Sequence, residues 1–186
     1  MATRDTKARV LTAAEDVVLT EGVARLTLEK AAVRAGVSKG GVLYHFPSRS
    51  ALVSAMVARL AEGFDEALTA QRHASAGECG ACSRAYSRAY VEDTFAPVDE
   101  ERAQRGQRLG AAVLAAMASE PDLLEPLREA FARWQREIET DVTDPVRGTI
   151  ARLAADGLWL SELFGLAPLD ADLRRRVRAE LLRIIE

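Results

Sequence analysis

Aromatic residues, cysteine and histidine are scarce in this chain of 186 residues. Phe, Trp and Tyr together make up 5% of the sequence, and Cys and His occur twice each. With only His45 and His73 available, a catalytic triad built on an imidazole base is disfavoured. Cys79 and Cys82, even with His73, supply too few ligands for a four-coordinate zinc site. The phosphate-binding glycine loop, the zinc-protease helix motif and the nucleophile elbow are missing as well, so we expect no enzyme, metal or cofactor.

Long hydrophobic runs are missing too. The longest unbroken apolar stretch, Ala111–Ala118, is far too short to span a bilayer. Residues 1–10 alternate charged with small side chains and lack the apolar core and cleavage site of a signal peptide. We therefore expect a cytoplasmic protein with no membrane partner.

Strand patterns are likewise not found, since no segment alternates apolar and polar residues for long enough. Ala, Leu, Arg and Glu dominate the sequence, and these residues favour helices. Val10, Ala14, Val17 and Val18 fall on one stripe of a first helix. The sequence therefore predicts an all-α protein.

Capping residues give the predicted helix borders in the N-terminal third. Gly22 is expected to end the first helix in the left-handed conformation. Thr27 is a good N-cap for a second helix, which Gly36 breaks. Ser38 caps a very short third helix, and Ser48 caps a fourth.

A polar stretch from Gln71 to Gly80 suggests a hinge between two domains. We predict a helix-turn-helix domain in residues 1–50, a linking helix over 48–71 and a helical regulatory and dimerisation domain in residues 72–186. In that second domain, helices are predicted over 82–95, 103–119, 122–140, 144–165 and 170–185.

Charge is divided unevenly along the chain. Residues 1–50 hold eight basic and five acidic side chains, a net charge of +3, which leaves −6 for the remainder of a chain whose total is −3. A basic N-terminal segment followed by an acidic remainder suggests that only the N-terminal segment contacts phosphate. So small an excess is also within ordinary fluctuation, so a motif has to decide.

Residues Thr27 to Phe46 fit a helix-turn-helix, in which a tight turn presents the second of two short helices to the major groove. Gly36 supplies the turn. On a helical wheel Val42 and Phe46 face inward. Four residues face outward, namely Gly40, Gly41, Leu43 and Tyr44. Ser38 and Lys39 stand at the N-terminus of the third helix, where amides and the helix dipole attract phosphate.

The run SKGGVLYHFPSRSAL, Ser38 to Leu52, resembles the recognition helix and the start of the next helix in the tetracycline-repressor (TetR) family. Leu26-Thr27-Leu28 and Ala35-Gly36-Val37 match at the expected spacing, so the motif covers roughly residues 5–55. The closing run DGLWLSELFGL, Asp156 to Leu166, is similar as well. The resemblance implies a two-domain, all-helical homodimer that binds operator DNA.

By that resemblance, Thr27, Tyr44, His45 and Arg49 should contact the phosphate backbone. Lys39 and Gly40 should lie at base edges or adjacent phosphates, and Ser38 belongs to the same predicted surface. Many family members carry an aromatic residue where this chain has Leu43, which offers only apolar contact, for example with a thymine methyl. The operator sequence is therefore not predicted.

A heptad-like seam in the C-terminal third predicts a dimer interface. One helix supplies Val146, Ile150, Leu153, Gly157, Leu160 and Phe164, and the last helix supplies Leu173, Val177 and Leu181. The resemblance implies that both helices pair with their copies as a four-helix bundle. The alternative is that they only close the core of one chain.

Half of the rare aromatic residues lie in the helices between residues 82 and 140. We predict that these helices form a pocket for an apolar or aromatic inducer. Its predicted lining is Tyr86, Tyr90, Met117, Phe131 and Trp134, a set with few fixed charges. The prediction is thus a DNA-binding regulator, a repressor released by a small molecule. Alternatives are control by a protein partner or by oxidation of Cys79 and Cys82, and, from another class, a small redox enzyme that uses this CxxC pair.

Overall fold

The computed structural model describes residues 2–76, 84–96, 105, 106, 108–112 and 120–186, and these contain helices and no strand. The all-α prediction is confirmed. The longer helices are α1 (Ala2–Glu21), α2 (Leu28–Ala35), α3 (Lys39–His45), α4 (Arg49–Ala76), α5 (Ala85–Phe95), α6 (Glu125–Asp141), α7 (Pro145–Phe164) and α8 (Ala171–Ile185). Short 3-10 turns lie at Val23–Arg25 and Pro121–Leu124, and none of the helices described is long and apolar enough to cross a membrane.

Hydroxyl caps begin three of the N-terminal helices, as the sequence predicts. The side chains of Thr27, Ser38 and Ser48 each accept a hydrogen bond from the backbone amide three residues later, at 3.0–3.1 Å. Each cap satisfies one of the amides that a helix leaves unpaired at its start. Local chemistry therefore sets the lengths of the short helices α2 and α3.

Two glycines end helices in different ways. Gly36 has φ 65° and ψ 38°, the predicted left-handed conformation, and its amide bonds back to the end of α2. Gly22 also has a positive φ, 88°, but its ψ is 155°, so the prediction of a left-handed cap there was wrong. The difference arises because the chain after Gly22 turns directly into the 3-10 turn Val23–Arg25.

The chain forms two compact units, of which the first comprises residues 1–61 and 100–128. We call this first unit the head. Its core is a cluster of apolar side chains that includes the almost completely buried Leu26, Val42, Phe46 and Leu52. The predicted stripe of α1 packs into the same core. The inner faces of α2 and α3 are therefore fixed against α1 and α4.

The second unit, which we call the body, comprises residues 62–99 and 129–186. Helix α4 runs unbroken to Ala76, so the start of the polar stretch predicted as a hinge is helical. In the body core Gly148 of α7 lies against the end of α6. A Cβ atom at that position would come within 2.8 Å of methyl carbons of both Ile138 and Val142, so glycine permits this close approach. The functional division at residues 50 and 72 stays a prediction.

Candidate functional site

Helix α3 is buried along one side and exposed along the other. Val42 and Phe46 are 0% and 2% exposed, whereas Tyr44 is 78% exposed and Leu43 is 41% exposed. The inward and outward faces agree with those predicted from the helical wheel. Because the buried side chains fix the helix to the head core, the exposed side chains are held in a defined orientation.

Packing against the described residues does not require the glycines of α3. A Cβ atom at Gly41 would make ordinary contact with the Ser38 hydroxyl at 3.4 Å, and one at Gly40 would lie 3.9 Å from it. Neither glycine has a positive φ. The bare backbone at these positions is thus free for close approach by another molecule.

Polar groups surround the start of α3. The hydroxyl oxygens of Thr27 and Ser38 accept backbone amide hydrogens, which leaves each hydroxyl hydrogen able to donate to another acceptor. Lys39 is exposed, and its ammonium group forms an ion pair with Glu29 at 2.5 Å. Amides, hydroxyls and a cation at a helix start form a surface suited to an anion.

Tyr44 and His45 lie side by side at the end of α3. Their ring centroids are 5.0 Å apart, and the two planes meet nearly edge to face at 81°. His45 is half-buried, with its ring 6.2 Å from that of Phe46. Tyr44 can therefore offer its hydroxyl outward while His45 supports the tyrosine ring from one side.

The guanidinium of Arg49 makes hydrogen bonds within the head. Nε donates to the carbonyl of Leu26 at 3.2 Å, and Nη2 donates to the carbonyl of Val23 at 3.0 Å. Nη1 donates to the carboxylate of Glu120 at 3.0 Å. Arg49 therefore braces the turn before α2 in the DNA-free chain, and its phosphate contact stays a prediction.

The outward face of α7 carries the predicted dimer seam. Five large apolar side chains of α7 and one of α8 are 41–65% exposed, namely Val146, Ile150, Leu153, Leu160, Phe164 and Leu173. Gly157 lies among them, and no described atom would lie within 4 Å of a Cβ atom at that position. Leu181 departs from the prediction, because it is buried in the body core, and Val177 packs partly against that core. Both face inward because α8 uses this side to cover α5 and α7.

Three of the predicted pocket residues, Tyr90, Phe131 and Trp134, form a packed aromatic cluster together with Phe64 of α4. The Phe64 ring lies 5.0 Å from that of Tyr90 and 4.7 Å from that of Trp134, and Phe131 lies 4.9 Å from Trp134. Trp134 and Tyr90 are buried. Met117, Cys79 and Cys82 lie outside the described residues. The four described aromatic rings pack against one another.

Charged groups border the aromatic cluster, contrary to the expectation of few fixed charges. The Tyr90 hydroxyl donates to Asp156 at 2.6 Å, and Arg152 donates to the other oxygen of the same carboxylate at 2.6 Å. On another side, the indole of Trp134 donates to Asp65 at 2.6 Å. Burial raises the pKa of Asp156 above its ordinary value, although the bonds from Tyr90 and Arg152 oppose that rise.

A cavity of about 240 Å³ lies beside the cluster in the body. It is lined by Asp65, Leu68, Thr69, Arg72, Tyr86, Arg133 and Glu137. Tyr86 is thus a predicted pocket residue that does face a cavity. Its pKa is raised, first by burial and then by the negative charges of Asp65 and Glu137. In the described part of the chain, no group of three or more His, Cys, Asp or Glu side chains could hold a metal ion.

Two family models match the chain in separate segments. The model of bacterial regulatory proteins of the tetR family matches residues 10–56, which contain α2 and α3. The model of the tetracyclin repressor-like C-terminal domain matches residues 84–186, more than half of the chain. The chain belongs to the TetR family of transcriptional regulators. The exposed face of α3 thus lies in its DNA-binding helix-turn-helix.

A curated relative matches about a third of the chain. The chain is 39% identical over 62 residues to the HTH-type transcriptional regulator TtgR of Pseudomonas putida, a match that covers 33% of this chain and only 30% of that relative. The chain thus matches less than a third of that relative's length.

Solved structures resemble the chain over nearly its whole length. A transcriptional regulator of Streptomyces coelicolor A3(2), SCO7518, is 22% identical with a TM-score of 0.72, and 97% of this chain and 98% of that one are covered. The multidrug binding protein EbrR in complex with ethidium is 25% identical with a TM-score of 0.70, again over 97% and 98% of the two chains. The TetR-family fold therefore extends through the body.

Proposed function

We propose that this TetR-family regulator is a homodimeric repressor, which binds operator DNA through two heads and is released by a small hydrophobic or aromatic ligand. The observation that carries the proposal is the two-sided helix α3, with a fully buried inner face and an outer face of bare backbone, hydroxyl and ammonium groups. Such a helix can enter the major groove without unfolding any part of the head core.

In the complex, Lys39 and Gly40 lie at base edges or adjacent phosphates. Thr27, Ser38, Tyr44 and His45 contact the backbone, with Leu43 against a base methyl. Arg49 contacts the backbone as well, and it also fixes the turn that precedes Thr27.

Dimerisation joins two chains through the exposed apolar face of α7 and the neighbouring Leu173. Large apolar side chains gathered on one surface are typical of protein interfaces. Gly157 in the middle of this face lets the two helices approach closely. A dimer places two heads on successive major grooves, about 34–36 Å apart.

The ligand enters the body beside the aromatic cluster, at the cavity that Tyr86 lines. An aromatic molecule can stack on rings there, while Asp65 or Thr69 fixes a polar atom. EbrR, which has the same fold, binds ethidium, a flat aromatic molecule. Release requires that the ligand bind the DNA-free state more tightly than the DNA-bound state.

Two linked binding measurements test this proposal. DNA fragments that the protein selects from a genomic library would first be footprinted, with the expectation of two protected half-sites about one helical turn apart. Aromatic compounds would then be titrated against tryptophan fluorescence with and without the selected duplex. Equal affinity for every quenching compound in both titrations would contradict ligand release, and the lack of any selected fragment would contradict DNA binding.

A further inference from the structure

An ion pair links the first turn of α2 to the first residue of α3. Lys39 Nζ donates to Glu29 Oε1 at 2.5 Å, and the two side chains are 58% and 67% exposed. Both groups are in water on the outer surface of the head. The positive charge at the start of the DNA-binding helix is therefore already neutralised within the chain.

The Glu29 carboxylate stands where the helix-turn-helix attracts anions. It lies in the first turn of α2, two residues after the capping hydroxyl of Thr27. Helix starts favour negative charge, so the carboxylate interacts both with the helix dipole and with Lys39. The hydrogen bond from Lys39 holds the pKa of Glu29 below its ordinary value, so the group stays ionised at neutral pH.

We propose that Glu29 competes with DNA for Lys39 and thereby limits the affinity of the head for every duplex. The inference rests on the proposed contact between Lys39 and DNA. When a duplex docks, the ammonium group must exchange the carboxylate for a phosphate or a base edge. The released carboxylate then lies close to the negatively charged backbone, which adds repulsion to the lost ion pair.

This competition has a defined effect on the salt dependence of binding. Each cationic group that neutralises a phosphate releases condensed counterions and steepens the fall of affinity with salt. A neighbouring carboxylate cancels part of that charge at the interface. Glu29 should therefore make the slope of log affinity against log salt shallower, by up to about one per head.

A double-mutant cycle on the full-length protein tests the competition directly. The variants are Glu29→Gln, Lys39→Met and their combination, measured on a duplex selected by the wild-type protein and on an unselected duplex of equal length. Glu29→Gln should tighten binding of both duplexes by about two- to five-fold per head, the range of an exposed ion pair. In the Lys39→Met background the same change should give a clearly smaller gain, because only the repulsion between the carboxylate and the DNA backbone is then removed.

Glu21→Gln is the matched control. Glu21 forms an ion pair with Lys30, so this variant removes the same charge from an exposed acid of the head without freeing Lys39. It should leave DNA affinity nearly unchanged. If Glu29→Gln fails to fold, judged by circular dichroism, Glu29→Asp carries the test, because it keeps the charge but shortens the side chain and should give part of the gain.

Three results would overturn the competition. They are no gain from Glu29→Gln, an equal gain in the Lys39→Met background, and an equal gain from Glu21→Gln; the last two would indicate a general charge effect. In each of these cases the wild-type protein still binds its selected duplex, so the proposed function stands. A wild-type protein that binds no duplex would refute the proposed function and this inference together.

Discussion

The outward faces of α3 in the head and α7 in the body differ in what they expose to water. Helix α3 presents glycine backbone, a tyrosine hydroxyl and a lysine, with Leu43 as a partly exposed apolar side chain. Helix α7 presents a row of large aliphatic and aromatic side chains. The polar groups of the first surface can bind either water or phosphate. Exposure of the apolar side chains of the second surface to water is unfavourable in free energy. The comparison suggests a reversible contact in the head and a lasting one in the body.

We expect the largest change in dimer affinity when a charge is placed on the apolar face of α7. Leu153→Glu should abolish dimerisation, because two unpaired carboxylates would be buried at roughly 3–5 kcal/mol each. The dimer dissociation constant should rise at least about a hundred-fold, and operator binding should fall with it. Sedimentation and DNA binding measure the two effects.

Leu166→Glu is the control for this variant. Leu166 is 57% exposed but lies beyond the end of α7, outside the predicted seam. It should leave the dimer intact. A stable wild-type monomer at micromolar concentration, or an intact dimer of Leu153→Glu, would contradict the dimer face.

A second effect concerns what holds the body together. Gly148→Ala should destabilise the body by about 1–3 kcal/mol, because the new methyl group would overlap carbons of Ile138 and Val142. Gly63→Ala, on an exposed side of α4 in the same unit, has no described atom within 4 Å of the new methyl group and should be neutral or slightly stabilising. Thermal unfolding compares the two; equal melting temperatures would show that the close approach of α6 and α7 is not needed.

Substitutions on the exposed face of α3 should have smaller effects, on the affinity for operator DNA. Tyr44→Phe removes one hydroxyl and should weaken operator binding by about 1–2 kcal/mol per head. Lys39→Ala should lower the slope of log affinity against log salt by about one per head. The decrease is smaller to the extent that Glu29 already neutralises the charge of Lys39. Neither change should alter the melting temperature, since both side chains are exposed. Unchanged affinity in both variants would exclude α3 as the reading helix.

Features set by neighbouring residues were predictable from the sequence. The capping hydroxyls of Thr27 and Ser38, the turn at Gly36 and the inward pair Val42 and Phe46 depend on contacts within a few positions. The apolar row on α7 was also visible, because helical spacing alone defines it.

Features set by distant residues were not predictable. The guanidinium of Arg49 is held by Glu120, 71 positions away, and nothing near Arg49 signals that partner. The bond from Tyr90 to Asp156 likewise joins residues 66 positions apart. Leu181 fits the dimer spacing, yet which side of α8 faces the body core depends on how α5 and α7 pack. The spacing of apolar residues defines one face of a helix. It does not show whether that face packs on the core of the same chain or on a second chain.

Site-specific cross-linking tests the central contrast between the two faces most directly. In a protein with Cys79 and Cys82 changed to Ser, single Gly40→Cys and Leu153→Cys variants would carry a short photo-activated cross-linker, with the selected duplex present. We expect position 40 to cross-link to DNA and position 153 to cross-link to a second copy of the chain. A position 40 that never reaches DNA, or a position 153 that never reaches another copy, would contradict this expectation.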